Sequence, residues 1–242
     1  MIDFLAEVAA WFADGANWVG TRGIPNRLWE HVSISVVATA AAAAIALPPA
    51  VWLGHIRRGG ILAVSAVNIG RAIPSFGLVG VMFPITLSVG FLASPLGYWA
   101  TLIALVLLAM PPIFVNAYTA VREVDPALVE AARGMGMGGR QVLGRVELPL
   151  GLPLIMAGVR TAAVAVVATA TLGAFVGFGA LGSFIFVGFA QGNAGNVLKF
   201  AGGLMVAVLA VLTELSLGWV ERRVDPTSRP SPQPAAPGAV AG

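Results

Sequence analysis

The 242-residue chain contains no cysteine, a single lysine and few charged residues of either sign. Without cysteine it can form neither a disulfide nor a thiolate metal site. Its two histidines, His31 and His55, match no metal-ligand spacing. Lys199 follows Asn196-Val197-Leu198 rather than a glycine-rich phosphate loop, so a Walker-type P-loop is absent. Because no carboxylate pair or nucleophile–base pair has a defined spacing either, we expect no metal site, no catalytic residues and no enzyme activity.

Apolar residues take the place of the missing charges. Hydrophobic residues make up 58% of the chain, charged residues make up 10%, and the mean hydropathy is +0.89. These values are far outside the range of soluble domains and indicate an integral membrane protein. A hydrocarbon core about 30 Å thick needs roughly 20 apolar residues in a helix. Five segments meet that need, at about residues 31–53, 61–83, 97–119, 153–177 and 197–219.

The predicted fold is therefore all-α, with about five transmembrane helices. A sixth apolar segment, about residues 180–190, is too short to span and is interrupted by glycines. We expect it to be an interfacial or re-entrant helix that is covered by protein.

The positive charges indicate the orientation. Nine arginines follow the first, third and fifth predicted spans, whereas two precede the first span. The alternate loops, 84–96 and 178–196, contain neither lysine nor arginine. Since positive charges concentrate on the cytoplasmic side, we expect the N-terminus outside and the C-terminus in the cytoplasm. The chain is predicted to be a multi-pass protein of the plasma (inner) membrane.

The domain organisation follows from these spans. Residues 1–29 form an extracytoplasmic segment in which Leu5, Val8 and Phe12 have helical spacing. That segment is either an interfacial helix or a weakly ordered extension. Residues 30–222 form the transmembrane domain, with a cytoplasmic loop at 120–150. Residues 223–242 are rich in proline and predict a disordered cytoplasmic tail.

The cytoplasmic loop has its own helix signals. Asp125-Pro126 is typical of a helix start, with the aspartate as N-cap, and glycine at 134 or 136 is typical of a helix end. A second short helix is predicted over Arg140–Glu147 and is expected to stop at Pro149. A charged, glycine-containing loop between membrane spans indicates contact with another protein. The alternative is a solvated loop whose arginines only set the topology.

Residues of this loop resemble the EAA motif of the ATP-binding-cassette (ABC) importer permeases, the inner-membrane components of binding-protein-dependent transport. The motif positions are Glu130, Ala131, Ala132, Gly136, Val146, Leu148 and Pro149. Valine at 146 is a mild departure, because isoleucine is more frequent there in the family. The resemblance implies the type I importer permease fold and a coupling helix that inserts into a cytoplasmic ATPase.

Further fragments resemble the osmoprotectant branch, which moves glycine betaine, choline, carnitine or proline betaine. They are Gly70-Arg71-Ala72-Ile73-Pro74-Ser75-Phe76, Asn116-Ala117-Tyr118, Val124-Asp125-Pro126, Gly134-Met135-Gly136-Met137, Thr171-Leu172-Gly173-Ala174 and Gly177-Phe178-Gly179-Ala180-Leu181-Gly182. One alternative is an ABC permease for another small solute, such as methionine or another amino acid. An alternative of another class is an ATP-independent secondary transporter or channel, although a carrier should show inverted repeats, which are not evident.

The resemblance also implies the partners. ATP would be used by cytoplasmic ATPase subunits, so this chain needs no cofactor of its own. A second permease copy or a paralogue would complete the pathway, and an extracytoplasmic binding protein would deliver the solute. Membrane lipid is expected around the bundle, and nucleic acid is not an expected partner.

Four residues of the second predicted span are candidates for the translocation path or its gate: Asn68, Arg71, Pro74 and Ser75. The alternative is a structural arginine at 71, paired with carbonyls freed at Pro74 or with Glu214. Arg160 is expected near the cytoplasmic edge, where its side chain could extend to the interface.

Overall fold

The computed structural model describes residues 2–58, 65 and 74–224, and most of these residues are helical, with no strand among them. The helices are α1 Ile2–Ala13, α2 Ile24–His55, α3 Ser75–Ser88, α4 Tyr98–Arg122, α5 Pro126–Gly134, α6 Gly139–Val142, α7 Leu148–Thr169, α8 Gly182–Ala190 and α9 Asn196–Val224. A π-helical turn, Leu143–Glu147, joins α6 to α7, and a 3-10 segment, Ala170–Val176, extends α7.

Four helical segments within the described ranges are long and apolar enough to cross a membrane. They are Ile24–His55, Tyr98–Arg122, Gly139–Val176 and Gly192–Val224. They contain four of the five predicted spans, and the all-α membrane fold is confirmed. Within the predicted span 61–83, residues 61–64 and 66–73 lie outside the described residues. Residues 75–83 belong to α3, a shorter apolar helix that continues to Ser88.

The centre of the bundle is made by α2, α4 and α7. Along α2 every fourth residue from Ile34 to Gly54 is buried, and most of these residues are alanines. Small side chains at this spacing let neighbouring helices approach closely, which favours association of helices in membranes. The run of alanines in the sequence does not by itself show this face, since alanine occupies the other faces too.

Two glycines sit where α4 lies against its neighbours. A Cβ added to Gly54 of α2 would lie 2.9 Å from the carbonyl oxygen of Tyr118. A Cβ added to Gly158 of α7 would lie 2.6 Å from the Cβ of Asn116. Real Cβ atoms do not approach this closely, so both helix crossings require glycine.

Two prolines were expected to bend or interrupt helices, Pro74 in the second span and Pro149 in the loop. Pro74 has extended dihedral angles (φ −60°, ψ 128°) and directly precedes the first residue of α3. Pro149 was expected to stop the second loop helix, and that prediction is wrong. The helix passes from α6 through the π-helical turn into α7 without interruption. The wider turn lets the chain pass a residue that lacks an N–H donor.

The N-terminal helix α1 contacts the last two helices of the chain. Val8 of α1 is buried, while Phe4 and Trp11 contact Phe200 and Phe184 at ring-centroid distances of 5.5 and 5.6 Å. One face of α1 therefore packs on α8 and α9.

The nine-residue helix α8 is too short to cross a bilayer. The predicted C-terminal tail lies, from residue 225 on, outside the described residues.

We expect Gly158→Ala to destabilise the protein by about 1–3 kcal/mol, because the new methyl group forces α7 away from α4. The change should appear as a lower thermal unfolding midpoint in detergent. Gly80→Ala is the matched control, since an added Cβ there meets nothing within 4 Å and Gly80 lies within α3. This control should be neutral or stabilising, by about 1 kcal/mol or less. Equal midpoints for both variants would contradict the close approach.

Candidate functional site: the loop between α4 and α7

Helix α5 begins as its sequence predicts. The Asp125 carboxylate accepts a hydrogen bond of 2.9 Å from the N–H of Ala127, and Pro126 occupies the first turn. Asp125 is therefore the N-cap, which satisfies one of the free donors of the helix end. The helix ends at Gly134, one of the two predicted positions.

A glycine with a left-handed conformation turns the chain after α5. Gly136 has a φ of +85°, a region that side-chain-bearing residues rarely adopt. Its N–H donates to the carbonyl of Arg133 at 2.9 Å, and the N–H of Met137 donates to the carbonyl of Ala132 at 3.1 Å. These bonds satisfy carbonyls at the helix end and direct the chain back toward α6. The motif glycine is thus explained by backbone conformation, since an added Cβ would meet nothing.

The loop has a small hydrophobic core that is separate from the core of the bundle. It consists of Val124, Val129, Ala132 and Val142, with Met137 and Val146 packed against it. This cluster holds α5 against α6 and the π-helical turn. Ala132 and Val146 of the motif therefore support the loop from inside.

The opposite side of α5 is exposed. Glu130 and Ala131 are open to solvent there, and Leu128 and Met135 expose 49% and 74% of their surface. We call these four residues the docking face. It combines exposed apolar side chains with one carboxylate beside a residue as small as alanine. Such a mixture is typical of a surface that contacts another protein.

A buried polar contact ties the loop to α2. The Oε2 of Glu147 lies 2.5 Å from the Nδ1 of His55, and the Glu147 side chain is 1% exposed. A second contact lies nearby, where the guanidinium of Arg57 donates to the carbonyl of Val124 at 3.1 Å. Sequence reasoning missed both contacts. No local pattern could have indicated them, because their partners are 92 and 67 residues apart.

The last two motif residues connect the loop to the bundle. Leu148 packs against the main hydrophobic core, and Pro149 is half-buried directly beside it. Both lie on the continuous helical segment Gly139–Val176. A displacement of the loop can therefore be transmitted along one helix into the centre of the bundle.

The other sequence-derived candidates lie apart from this loop. Asn68 and Arg71 are outside the described residues, whereas Pro74 caps α3 and Ser75 is its first residue. Glu214, considered as a partner for Arg71, instead lies 3.2 Å from the guanidinium of Arg160. Arg160 also lies 3.3 Å from Glu221. Two carboxylates of α9 thus hold its side chain on the surface of that helix.

These features define a class: a polytopic membrane protein that exposes one structured loop beside its helical bundle and has no recognisable catalytic site in its described residues. More specifically, the chain belongs to the family described as binding-protein-dependent transport system inner membrane component, whose sequence pattern matches residues 42–226. This is a family of transport components rather than of enzymes. The resemblance seen in the loop motif is therefore confirmed at the level of the family.

Characterised relatives share most of the chain. The carnitine transport permease protein OpuCD of Listeria monocytogenes is 36% identical over 203 residues, which cover 84% of this chain and 87% of the relative. The choline transport system permease protein OpuBD of Bacillus subtilis is 30% identical over 228 residues, covering 94% and 95%. Carnitine and choline, which these names print, are among the solutes of the branch that the sequence resembles.

Solved structures show the same architecture. An inward-facing crystal form of the MetNI methionine ABC transporter has a chain that matches with a TM-score of 0.70 and 26% identity. The match covers 83% of this chain and 95% of that chain. A chain of an amino acid ABC transporter crystallised with histidines matches with a TM-score of 0.65 at 17% identity, which shows the fold alone.

We expect Glu147→Ala and His55→Ala each to destabilise the protein by about 3–5 kcal/mol, since each leaves a buried polar partner unpaired. The double variant should lose less than the sum of the single losses, by at least about 1 kcal/mol. Equilibrium unfolding of the four proteins in detergent measures this coupling energy. Strictly additive losses would show that the two side chains do not interact.

Proposed function

We propose that this chain is the permease subunit of an ABC importer for small quaternary-ammonium osmoprotectants such as choline, glycine betaine, carnitine or proline betaine. The observation that carries the proposal is the set of permeases named for carnitine and choline transport, which are 30–36% identical over more than four fifths of the chain. A glycine betaine/carnitine/choline permease of Bacillus subtilis, 32% identical over 197 residues, extends the same group. Similarity of this extent favours a shared solute class.

In this proposal a cytoplasmic ATPase binds the docking face. Glu130 and Ala131 make the contact, because their side chains are exposed and engaged with nothing else in the loop. Ala132 and Val146 support the face through the small core, and Gly136 gives the turn its shape. Leu148 and Pro149 lie where the loop helix enters the bundle. The seven motif residues thus divide into contacting and supporting positions.

Energy transfer then follows a mechanical route. Closure of the ATPase pair on ATP moves both docking faces, and the continuous helix from Gly139 to Val176 carries the displacement into the membrane. The contact between Glu147 and His55 makes α2 move with it. The bundle thereby alternates between outward-facing and inward-facing states, each biased by the nucleotide state of the partner.

The proposal requires further subunits. Four membrane-crossing helices, or five with the predicted second span, are too few to enclose a solute path. Only 17% of an apolar 18-residue window in Gly192–Val224 is buried within this chain. A second permease copy or a paralogue would cover part of that surface, and lipid the rest. An extracytoplasmic binding protein, on which the family depends by name, would deliver the solute.

A permease for methionine or another amino acid is the second candidate. It is favoured by the match to the methionine transporter structure, which covers most of both chains at 26% identity. The osmoprotectant assignment rests on permeases of higher identity, 36% for the carnitine permease, and is therefore preferred.

Uptake into proteoliposomes tests the solute. The vesicles hold this chain with its ATPase and binding protein, and they receive labelled choline, glycine betaine or methionine with or without enclosed ATP. We expect ATP-dependent accumulation of choline or glycine betaine. Accumulation of methionine alone would shift the assignment to the second candidate. Uptake that is the same without ATP would overturn the ABC importer function.

A charge reversal tests the docking face. Glu130→Arg should lower ATP-driven uptake by at least about tenfold, which corresponds to about 1.4 kcal/mol of lost contact energy. Glu123→Arg is the matched control, because Glu123 is exposed just before α5 but lies outside the docking face. Both variants should insert into the membrane and keep the wild-type melting temperature. Normal uptake by Glu130→Arg would exclude a role of Glu130 in docking.

A further inference from the structure

The start of α2 holds a turn that lies far along the chain. The guanidinium of Arg27 and the carboxylate of Glu30 form an ion pair of 2.8 Å. The same carboxylate accepts a hydrogen bond of 2.7 Å from the backbone N–H of Ala180, 150 residues away. Ala180 belongs to the segment between the 3-10 extension of α7 and the start of α8. We call this segment, residues 177–181, the outer turn, because the predicted orientation places it outside.

The outer turn has a backbone conformation that its sequence does not favour. Ala180 has a φ of +56°, and both Ala180 and Leu181 are fully buried. A residue with a side chain adopts the left-handed region only at an energetic cost. Such residues persist where their surroundings impose the conformation, and they concentrate at switch regions. Here the hydrogen bond from Ala180 to Glu30 supplies the restraint.

Glycines let the ion pair and α8 lie directly against the backbone. An added Cβ on Gly179 would overlap the guanidinium of Arg27 and the carboxylate of Glu30. An added Cβ on Gly182, the first residue of α8, would overlap the carbonyl oxygen of Thr171. The ion pair therefore rests on the outer turn itself, and the turn in this position seats the start of α8 on the 3-10 segment.

Helix α2 connects the outer turn with the loop at the opposite end of the bundle. The Nε2–H of His31 donates to the carbonyl of Val167 at 2.8 Å, and the His31 side chain is fully buried. At its other end α2 contacts Glu147 through His55. Both partners lie on the continuous helical segment Gly139–Val176. Because α2 is bonded to this segment at both ends, the two helices form one unit, the α2–α7 part.

The rest of α8 is seated on α9. An added Cβ on Gly188 of α8 would lie 2.8 Å from the backbone nitrogen of Lys199. An added Cβ on Gly202 of α9 would lie 3.0 Å from the Cβ of Phe184 and 2.9 Å from the Cγ1 of Ile185. The outer turn is thus the covalent joint between the α2–α7 part and a helix that packs closely on α9. A movement between the two must be taken up in this turn.

We propose that Arg27 and Glu30 form a latch on the outer turn, and that the bond from Glu30 to Ala180 breaks when the α2–α7 part moves relative to α8 and α9 during transport. The driving movement rests on the proposed function. The bond to Glu30 favours the closed turn, whereas relief of the left-handed conformation at Ala180 favours the open one. The latch therefore determines how readily the outer end of the bundle opens. Glu30 acts through the turn and is a positioning residue.

Access to residue 181 reports the state of the turn. The chain has no cysteine, so an introduced cysteine is the only thiol. Leu181→Cys is compared with Asn193→Cys, an exposed position between α8 and α9, in the transporter assembled in proteoliposomes. The probe is a membrane-impermeant methanethiosulfonate with a trimethylammonium group, added outside, which reacts with accessible thiolates. Rates are measured without nucleotide and with ATP and vanadate enclosed.

Without nucleotide, we expect the cysteine at 181 to react at least about tenfold more slowly than the one at 193, because Leu181 is fully buried. Trapping with ATP and vanadate should raise the rate at 181 about tenfold by shifting the population toward the open turn, and leave the rate at 193 unchanged. Equal rates at 181 with and without nucleotide, in a transporter that accumulates solute, would overturn the latch.

Two substitutions at the latch should act in opposite directions on the cysteine at 181. Glu30→Ala removes the bond to the turn, so the rate without nucleotide should rise about tenfold. Ala180→Gly removes the cost of the closed conformation, so the rise on nucleotide trapping should shrink to about threefold or less, and uptake should slow. Faster reaction in both variants, with lower melting temperatures, would assign both residues a structural role only.

The test separates failure of the latch from failure of the proposed function. If the wild type accumulates no solute with ATP, the proposed function fails. The rate in Glu30→Ala without nucleotide still decides whether Glu30 holds the turn, because this comparison needs neither solute nor ATP. A rate at 181 that stays unchanged in Glu30→Ala would overturn the latch whatever the transporter carries.

Discussion

The connection between the surface loop and the membrane bundle depends on one buried contact, between Glu147 and His55. A carboxylate that is almost fully buried is stable only when a partner compensates the loss of its hydration. Here the partner lies at the end of α2, one of the three helices that form the centre of the bundle. The loop is therefore tied to α2, and in the proposed function a displacement of the docking face would reach the centre of the bundle.

The unbroken helix through Pro149 provides the second part of the connection. A proline inside a helix removes one hydrogen bond and would ordinarily weaken the helix at that point. The π-helical turn at Leu143–Glu147 precedes that point and accommodates it, so that the last motif residues belong to a membrane helix. The small core around Val129 and Ala132 keeps the other half of the loop attached to the same turn. The exposed residues of α5, the core that supports them and the start of the membrane helix α7 thus lie in one short segment.

The bilayer explains why the interior consists of small residues. Between helices in lipid there is little hydrophobic driving force, so close packing must supply the attraction. The buried alanines of α2 and the glycines at positions 54 and 158 make such close packing possible.

The sequence by itself determined the helical membrane class, most of the spans, the start and end of α5 and the family, because hydropathy, capping residues and the loop motif are local signals. It could not reveal the contact of Glu147 with His55, the pairing of Arg160 with Glu214, or the passage of the helix through Pro149. The partners in these contacts are tens of residues apart, and only the packing of the helices brings them together. The docking face was likewise decided by tertiary structure, since burial of Val129 and Ala132 in the loop core is what leaves Glu130 and Ala131 outside.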